Sequence, residues 1–337
     1  MLVTKQNVFR KFWYATVSVE SLKDGPKPFV LLNEKLVLFL DAEGKAGCLE
    51  DRCCHRTAKL SKGWMKNGNL VCGYHGWEYD RDGKLVTIPQ FPPDQALPDC
   101  KVKNYRTTER YGYVWVALEE PLQPIPEFEE EGMPGWRRIH QFYDIWQTSS
   151  LRLMENSFDN SHFAFVHKGT FGDINQPKPE KYEITEKDWG FEAETIVTVV
   201  NPPNAERITG TRDPYTKRHM RNRWFVPFSR RLDMEYPSGL RHIIMNCATP
   251  IDDKSIQVVQ ILFRNDDEAS CSTQELIDWD AAILVEDREI LESTSPDAIV
   301  DMSRRLEMHM PSDRPGMIMR RRLLDLMKQH GEEEIPA

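Results

Sequence analysis

The chain has 337 residues, with 40% hydrophobic and 29% charged residues and a formal net charge of −9. This composition is that of an ordinary globular protein, and the length suits two domains. The acidic excess argues against nucleic acid and anionic membrane surfaces as partners. No apolar run approaches the ~18 residues of a membrane span, and Lys5, Arg10 and Lys11 interrupt the N-terminus where a signal peptide would be apolar.

The cysteines indicate the redox environment. Their number is seven, which is odd, and at least two have the spacing of metal ligands. Both observations argue against a disulfide framework and favour a reducing compartment. A cytoplasmic location is therefore expected.

The first 118 residues are predicted to be mostly β-strand. Residues 29–32 and 36–40 flank Asn33-Glu34-Lys35 as a hairpin, and Arg81-Asp82-Gly83-Lys84 marks a second hairpin through its Asp-Gly turn. An apolar run at 111–118 closes the region. The pattern predicts a small antiparallel β domain over residues 1–118, with connecting loops at one tip.

Two of those loops combine cysteine with histidine. Cys53-Cys54-His55 and Cys72-Gly73-Tyr74-His75 each supply one thiolate and one imidazole, with sixteen residues between them. Two Cys and two His can bind zinc tetrahedrally. A Rieske [2Fe–2S] cluster takes two Cys on one iron and two His on the other. Two loops that each give one ligand to each iron fit the Rieske cluster directly.

The flanking residues carry a resemblance to a known family. Arg56 and Leu60-Ser61-x-Gly63 follow the first loop, and Gly76-Trp77-x-Tyr79-Asp80 follows the second. The stretch from residue 53 to 89 resembles the Rieske domain of the Rieske non-heme iron oxygenases. This resemblance implies that the cluster ligands are Cys53, His55, Cys72 and His75. Backbone N–H groups and Tyr74 are expected to hydrogen-bond the sulfur atoms.

Cys54 departs from the patterns of related proteins. Respiratory Rieske proteins carry an extra cysteine in each ligand loop, joined as a disulfide, whereas the second loop here offers only Gly73 and Tyr74. The pattern is therefore of the oxygenase type, in which this position is usually proline. We expect Cys54 to be a small packed residue, and the alternatives are a cluster ligand or a redox switch.

The remaining chain is predicted to form a second domain over residues 119–337. A Pro- and Glu-rich linker over 119–136 is followed by a helix near 149–167 and then by strands at 194–200, 240–249 and 255–263. A helix over 272–295 begins with the capping box Ser272-Thr273-Gln274-Glu275, and a charged helical segment covers 304–329. This α+β pattern resembles the helix-grip (START-like) antiparallel sheet of the same family's catalytic domain.

The helix near 149–167 holds a second metal motif. Asp159, His162 and His167 supply two imidazoles and a carboxylate, a set that suits non-heme Fe(II) with open positions for O2. Histidines five residues apart lie about 140° apart on an ideal helix, so the helix must widen or end before His167. By the resemblance, His162 and His167 are iron ligands, and Asp159 bridges to a Rieske histidine of a neighbouring subunit. Taken alone, the apolar neighbours of His162 favour an interior histidine with a hydrogen-bond partner, and the Rieske motif upstream reverses that preference.

The third iron ligand is expected from the helix over 272–295. Asp280 and Asp287 both fall on its apolar stripe, seven residues apart, and periodicity does not choose between them. The family context, Val285-Glu286-Asp287-x-x-x-Leu291-Glu292, assigns Asp287. Glu286 and Glu289 are expected on the solvated or interdomain side, and Asn156 is expected to have a structural role.

A group of basic residues lies between the two motifs. Its members are Lys217, Arg218, His219, Arg221, Arg223, Arg230 and Arg231. The simplest interpretation is a solvated face. The alternatives are a docking surface for an acidic electron carrier and a binding site for a carboxylate substrate.

The resemblance implies a terminal oxygenase component with a [2Fe–2S] Rieske cluster, mononuclear Fe(II) and O2 as cosubstrate. A reductase or ferredoxin supplies its electrons, and in the family the two centres meet only across a subunit boundary, so a head-to-tail homotrimer is expected. Length and layout resemble vanillate and dicamba O-demethylases. Hydroxylation or O- or N-demethylation of a small, aromatic substrate is the main expectation.

Three alternatives remain open on the sequence. Within the same family, the alternative is cis-dihydroxylation of an aromatic ring. The other classes are a Rieske-type electron carrier without oxygenase activity and a zinc-stabilised binding module. If the protein were only an electron carrier, the occurrence of Asp159, His162, His167 and Asp287 together would have no functional explanation. If it were a zinc protein, it would be colourless.

Overall fold

The computed structural model describes residues 1–201 and 205–336. The chain divides into two compact units, of which the smaller is Phe9–Pro124. The larger begins again at Ile125 and also includes Met1–Val8. The sequence predicts one boundary, after residue 118, whereas these units divide after Pro124 and the first eight residues belong to the larger unit.

The smaller unit consists of three antiparallel sheets. Their strand orders are β1-β10-β9, β2-β3-β4 and β5-β6-β7-β8. The strands are β1 (Tyr14–Ser18), β2 (Lys27–Leu31), β3 (Glu34–Leu40), β4 (Ala46–Glu50), β5 (Trp64–Lys66), β6 (Asn69–Val71), β7 (Glu78–Tyr79), β8 (Leu85–Thr87), β9 (Arg106–Arg110) and β10 (Tyr113–Ala117). Both predicted hairpins form, as β2-β3 and β7-β8.

The hairpin turns use the left-handed backbone that tight turns require. Leu32 and Asn33 have φ of 50° and 65° between β2 and β3, as in a type I′ turn. Gly83, in the second hairpin, has φ of 81°, and a Cβ there would lie 2.1 Å from the carbonyl oxygen of Val102. Glycine is therefore required at this position for steric reasons as well.

The larger unit contains a seven-stranded antiparallel sheet in the order β11-β17-β16-β15-β14-β13-β12. The strands are β11 (Arg137–Trp146), β12 (Glu183–Lys187), β13 (Gly190–Val200), β14 (Tyr215–Phe225), β15 (Ser229–Glu235), β16 (Arg241–Pro250) and β17 (Ile256–Arg264). The helices are α1 (Ser150–Ser157), α2 (Phe163–Val166), α3 (Glu206–Thr209), α4 (Thr273–Ser293) and α5 (Arg314–Gln329). The α+β prediction of a large antiparallel sheet with helices is confirmed.

Helix α4 packs on the sheet through apolar side chains. Leu276 and Ile283 of the helix belong to the same core as Met220, Leu232 and Ile244 of the sheet. The capping box at its start is present, with the Ser272 side chain accepting from the Glu275 N–H group and the Glu275 side chain accepting from the Ser272 N–H group. This cap satisfies backbone donors that the first helical turn leaves unpaired.

Two predicted helices have different bounds in the structure. The helix predicted near 149–167 is two helices, because the Asp159 carboxylate accepts a hydrogen bond from the Ser161 N–H group at 2.7 Å and forms a turn between them. Helix α5 begins at Arg314 rather than at residue 304. Pro315, within its first turn, explains this start, since proline fits there and disrupts a helix interior.

The ends of the chain meet in the larger unit. The Leu2 N–H group donates to the carbonyl of Ile335 at 2.7 Å, and the Val8 N–H group donates to the Glu332 carboxylate at 2.8 Å. Among the residues that the structure describes, no helix combines the length and the apolarity needed to cross a bilayer.

Candidate metal centres and substrate pocket

The two Cys/His loops of the smaller unit have the same backbone turn. The carbonyl of Cys53 accepts from the Thr57 N–H group at 3.0 Å, and the carbonyl of Cys72 accepts from the Gly76 N–H group at 2.9 Å. Thr57 and Gly76 both have the left-handed backbone that ends such a turn, with φ of 58° and 73°. The two loops are thus built alike, as two equivalent halves of one site would be.

The loops separate sulfur from nitrogen. Cys53 and Cys72 are 2% and 0% exposed, and their side chains hydrogen-bond to each other. His55 and His75 are half-buried, with their Nδ1 atoms 3.2 Å apart. A buried sulfur pair and a more exposed imidazole pair match a cluster with one Cys-bound and one His-bound iron. The four predicted residues are therefore brought together in the required pairs.

Hydrogen-bond donors surround the sulfur atoms. Burial raises the pKa of the Cys72 thiol, and hydrogen bonds from the backbone N–H groups of Tyr74 and His75 oppose that rise. The phenol near the sulfur atoms is that of Tyr79, 3.1 Å from Cys53 Sγ. The predicted backbone donors are present, but the Tyr74 ring is exposed and lies against His75 instead.

The prediction for Cys54 was wrong. Its side chain is exposed rather than packed, and it forms a disulfide with Cys100. The two cysteines are 46 residues apart in the sequence, so a partner sought only within the second ligand loop could not be found. The segment around residue 100 pairs with residues 84 and 85, where the Leu85 N–H group donates to the Cys100 carbonyl at 3.3 Å, and this long-range pairing is not visible in the spacing of the motif.

The second candidate centre lies in the larger unit. His162 Nε2 and His167 Nε2 are 3.1 Å apart, and Asp287 Oδ1 is 3.5 Å from the first and 3.3 Å from the second. Two atoms about 2.1 Å from one ion and at right angles to each other lie about 3 Å apart. Two His and one carboxylate in this arrangement are the donor set of non-heme Fe(II) oxygenases, so the residues fit such an ion.

The break between α1 and α2 creates the spacing of the histidines. His162 is the N-cap of α2 and His167 follows its last residue, so the two imidazoles lie at opposite ends of a four-residue helix. The chain then folds back closely, because a Cβ on Gly172 would lie 2.0 Å from the carbonyl oxygen of Phe163. Of the two predicted possibilities, a widened helix or a helix that ends before His167, the structure has the second.

Each histidine has a carboxylate on its other ring nitrogen. His162 Nδ1 is 3.3 Å from Asp159 Oδ2, and His167 Nδ1 is 2.9 Å from Glu286 Oε2, which also accepts from Thr170 Oγ1 at 2.9 Å. Such partners fix the tautomer and leave Nε2 available to a metal. The expectation that Glu286 lies on the solvated or interdomain side was wrong.

The charges of this site stabilise one another. Burial opposes the charged form of His167, but Asp287 and Glu286 outweigh it and raise the pKa of the imidazole. Burial likewise opposes the charged form of Asp287, but His167, His162 and a hydrogen bond from Asn156 lower the pKa of that carboxyl. The site therefore holds its carboxylate ionised, as a metal ligand must be.

Asp280 and Asn156 have other partners. Asp280 accepts from Gln141 Nε2 at 2.5 Å and lies 3.2 Å from His242 Nε2, away from the histidine pair. Asn156 Nδ2 donates to Asp287 Oδ1 at 2.9 Å and so orients that carboxylate. Periodicity did not distinguish Asp280 from Asp287 as the third member of the site. In the structure, Asp287 lies beside the two histidines and Asp280 does not.

A pocket with an empty volume of about 870 Å³ opens beside the triad. It lies between α4 and the sheet, and its volume includes the space at its open mouth. Apolar side chains line most of its wall. They are Leu153, Phe163, Phe171, Val199, Met220, Leu232, Met234, Ile244, Ile283 and Leu284. The triad thus faces a largely apolar cleft that could hold a small organic molecule.

The basic residues of the sequence do not form one face. Burial alternates along β14, so Arg218 lies inside while Arg221 and Arg223 lie on the other face. Arg231 is buried against Glu130 and Asp233. The interpretation of these basic residues as a solvated face is therefore correct for only some of them.

Comparisons with known proteins agree with this geometry. Residues 12–106 match the Rieske [2Fe-2S] domain family, and residues 146–329 match the vanillate O-demethylase oxygenase C-terminal domain family. The methylxanthine N1-demethylase NdmA of Pseudomonas putida is 29% identical over 97% of this chain and 92% of its own length. The methylxanthine N3-demethylase NdmB of the same organism is 28% identical over 88% of this chain and 84% of its own.

A solved structure gives the same result for the fold. The NdmA QL mutant with theobromine, from Pseudomonas putida CBB5, superposes with a TM-score of 0.82 at 28% identity, over 98% of this chain and 94% of that one. The second family model alone covers more than half of the chain. The chain therefore belongs to the Rieske non-heme iron oxygenases, as an oxygenase component whose C-terminal domain is of the vanillate O-demethylase type.

Proposed function

We propose that the predicted residues hold the two metal centres of this oxygenase. Cys53 and Cys72 would bind one iron of the [2Fe–2S] cluster, and His55 and His75 the other. His162, His167 and Asp287 would bind the mononuclear Fe(II). The convergence of three donor atoms within 3.5 Å, at the wall of the pocket, is the observation that carries this proposal.

The mononuclear iron, when bound, supplies the open positions at which O2 is activated beside the substrate. The protein residues have the other tasks. Asp159 and Glu286 hold the two imidazoles in the tautomer that exposes Nε2. Asn156 orients the Asp287 carboxylate through its hydrogen bond. The apolar wall keeps water away from the substrate and positions it near the triad.

The reaction we propose is monooxygenation of a small aromatic molecule, with removal of an O- or N-methyl group. The relatives that match nearly the whole chain are demethylases. Hydroxylation of the methyl carbon gives a hemiacetal or hemiaminal, which releases formaldehyde. Electrons would come from a separate reductase or ferredoxin.

We also propose a homotrimer in which Asp159 links the mononuclear site to the cluster of a neighbouring subunit. The Asp159 side chain is 31% exposed beside His162, so a second subunit could reach it. Asp159→Asn should leave three irons per chain in place and abolish substrate oxidation. Full activity in that variant, or a monomer in sedimentation, would contradict the proposal.

The test of the function begins with iron and acid-labile sulfide per chain after anaerobic reconstitution with Fe(II). Three irons to two sulfides are expected, whereas two to two would indicate an electron carrier and zinc without sulfide a binding module. The loaded protein is then incubated with a surrogate reductase and a panel of methoxy- and N-methyl-aromatics. Formaldehyde carrying 18O from 18O2, measured under rapid trapping, supports demethylation, and a cis-diol product would support dihydroxylation instead.

Asp287→Ala is the matching variant for this test. It should retain the cluster spectrum, lose one iron of three and release no formaldehyde. Glu289→Ala, on the exposed side of the same helix, is the control and should behave as the wild type. A wild-type rate in Asp287→Ala would refute the assignment of the triad.

A further inference from the structure

Strand β14 carries four arginine or lysine side chains between Tyr215 and Phe225, and only one of them points into the pocket. On the opposite face, Arg221 Nε donates to Glu194 at 2.8 Å and Arg223 Nε donates to Glu192 at 2.6 Å. These cross-strand ion pairs account for the outer arginines. Arg218 is on the inner face, 4% exposed, and lines the pocket beside the triad.

Arg218 lacks a counter-ion in the described part of the chain. Its Nε and Nη2 atoms are buried and have no hydrogen-bond partner there, and no carboxylate within 4 Å is found for it among the described residues. Its guanidinium carbon lies 5.7 Å from the ring centre of Phe171 and 5.2 Å from that of Tyr236. Aromatic faces favour a cation only modestly. Burying an unpaired guanidinium is costly, so its position calls for an anion from outside the chain.

The nearby carboxylates have other partners. Asp280 is held by Gln141 and His242, and Asp287 by Asn156 and the two histidines. His242 cannot serve as an anion, and its Nδ1 faces Arg264 Nη1 at 3.1 Å. Because arginine only donates, His242 Nδ1 accepts and its ring proton is on Nε2, which lies 3.2 Å from Asp280 Oδ2 without hydrogen-bond geometry.

A second guanidinium adds to the positive charge of the pocket. Arg230 also lines it and donates to the amide oxygens of Asn222 and Asn246, at 2.8 and 3.4 Å. Burial lowers the pKa of Arg230 to about 10, so it remains a cation at neutral pH. The pocket thus contains two arginines that hydrogen-bond to no carboxylate in the described residues.

The position of Arg218 relative to the triad suits a small substrate. Phe171 stacks on His167 with ring centres 4.7 Å apart, so one aromatic ring separates the guanidinium from a residue of the triad. Met220 and Leu232, on the inner face of the sheet, provide the apolar wall nearby. A molecule with an anionic group at one end could bind Arg218 and place its other end near the triad.

We propose that Arg218 binds an oxyanion of the substrate, a carboxylate or sulfonate, so that the substrate is a small aromatic acid. This inference rests on the proposed function, because it concerns the pocket beside the same triad. Arg218 acts here as a specificity-determining residue. It selects the charged substrate and fixes which end of the molecule faces the iron site.

The test measures binding of benzoate, benzenesulfonate and benzamide to the anaerobic, Fe(II)-reconstituted full-length protein by calorimetry. Benzamide has nearly the shape of benzoate but no charge. The wild type should bind at least one of the two anions about tenfold or more tightly than benzamide, which corresponds to about 1.4 kcal/mol. Arg218→Met should abolish that preference, and Arg218→Lys, which keeps the charge but loses the guanidinium fork, should retain part of it.

Arg221→Met is the matched control, because it removes an arginine from the outer face of the same strand. It should bind all three probes as the wild type does. Iron content and circular dichroism show whether each variant is folded. If Arg218→Met does not fold, the preference of the wild type for anions over benzamide and the binding of the same probes by Arg218→Lys still test the proposal. Equal binding of anions and benzamide by the wild type, or an unchanged preference in Arg218→Met, would overturn the proposal.

Different results would contradict the anion site at Arg218 and the proposed demethylation. A protein that prefers benzoate to benzamide but releases no formaldehyde from any methyl-bearing acid keeps the anion site and refutes demethylation. A protein that demethylates neutral aromatics and shows no preference for anions refutes the role of Arg218 and leaves demethylation standing.

Discussion

The contact between Glu286 and His167 can be tested through iron affinity. The Glu286 carboxylate is 2.9 Å from His167 Nδ1 and is held by Thr170 Oγ1 at 2.9 Å. Carboxylates that orient a metal-binding imidazole typically contribute about 10- to 100-fold to metal affinity, or about 1.4–2.7 kcal/mol. Glu286→Leu removes both the charge and the acceptor. We therefore expect its Fe(II) to bind about 10- to 100-fold more weakly.

The assay is an anaerobic competition between the protein and a calibrated Fe(II) chelator, with the cluster spectrum as an internal standard. Glu286→Gln keeps an acceptor for Nδ1 and should fall between the wild type and Glu286→Leu. Glu289→Leu removes the same charge from the exposed side of α4 and should change the affinity less than about twofold, as surface charges do. Wild-type affinity in a folded Glu286→Leu protein would refute the reasoning.

Three further predictions concern stability, pH and the cluster. Arg320 is 3% exposed and bonds the carboxylates of Glu155 and Glu307, which also pair with Arg152. Arg320→Met should therefore lower the free energy of unfolding by about 1–3 kcal/mol, and a denaturant titration that shows no loss would count against it. Burial would raise the pKa of Glu307, but the neighbouring arginines lower it below the ordinary 4.5. Its stabilisation is therefore complete above that value and is lost as the pH falls through the lowered pKa. The stability difference between wild type and Glu307→Gln should therefore shrink as the pH falls below 4.5, and a difference that stays constant with pH would contradict the prediction. Tyr79→Phe removes the hydroxyl 3.1 Å from Cys53 Sγ and should lower the reduction potential of the cluster, because hydrogen bonds to sulfur favour the reduced, more negative state. An unchanged midpoint potential in a redox titration would show that this hydroxyl does not affect the cluster.

The sequence predicts best those parts of the molecule whose structure is determined by residues close together in the chain. The ligand loops at residues 53–55 and 72–75 are fixed by nearby turns, and the capping box at Ser272 lies within one helical turn. The histidine spacing also predicted that the helix must widen or end before His167, since five residues do not return to one helical face. Such features depend on a few consecutive residues and need no knowledge of the sheet.

Other features depend on packing between distant segments. Asp280 and Asp287 occupy equivalent positions on one helix face, so only the position of α4 against α2 decides which meets the histidines. Glu286 lies about a third of a helical turn from Asp287. It reaches His167 because its side chain is longer than that of an aspartate. The arginine-rich strands β14 and β15 escaped prediction because charged residues alternate with the inward ones. Basic residues on the outer face of a sheet, and two in a pocket, obscure the apolar alternation that indicates a strand.

The pairing of both chain ends in the larger unit has a consequence for biosynthesis. Val8 and Glu332 are 324 residues apart, so their hydrogen bond forms only after residue 332 has left the ribosome. The segment Phe9–Pro124 is continuous and can fold while the rest is still being made, since domains generally fold as units during synthesis. The cluster unit should therefore mature first, and the mononuclear iron site should be completed last.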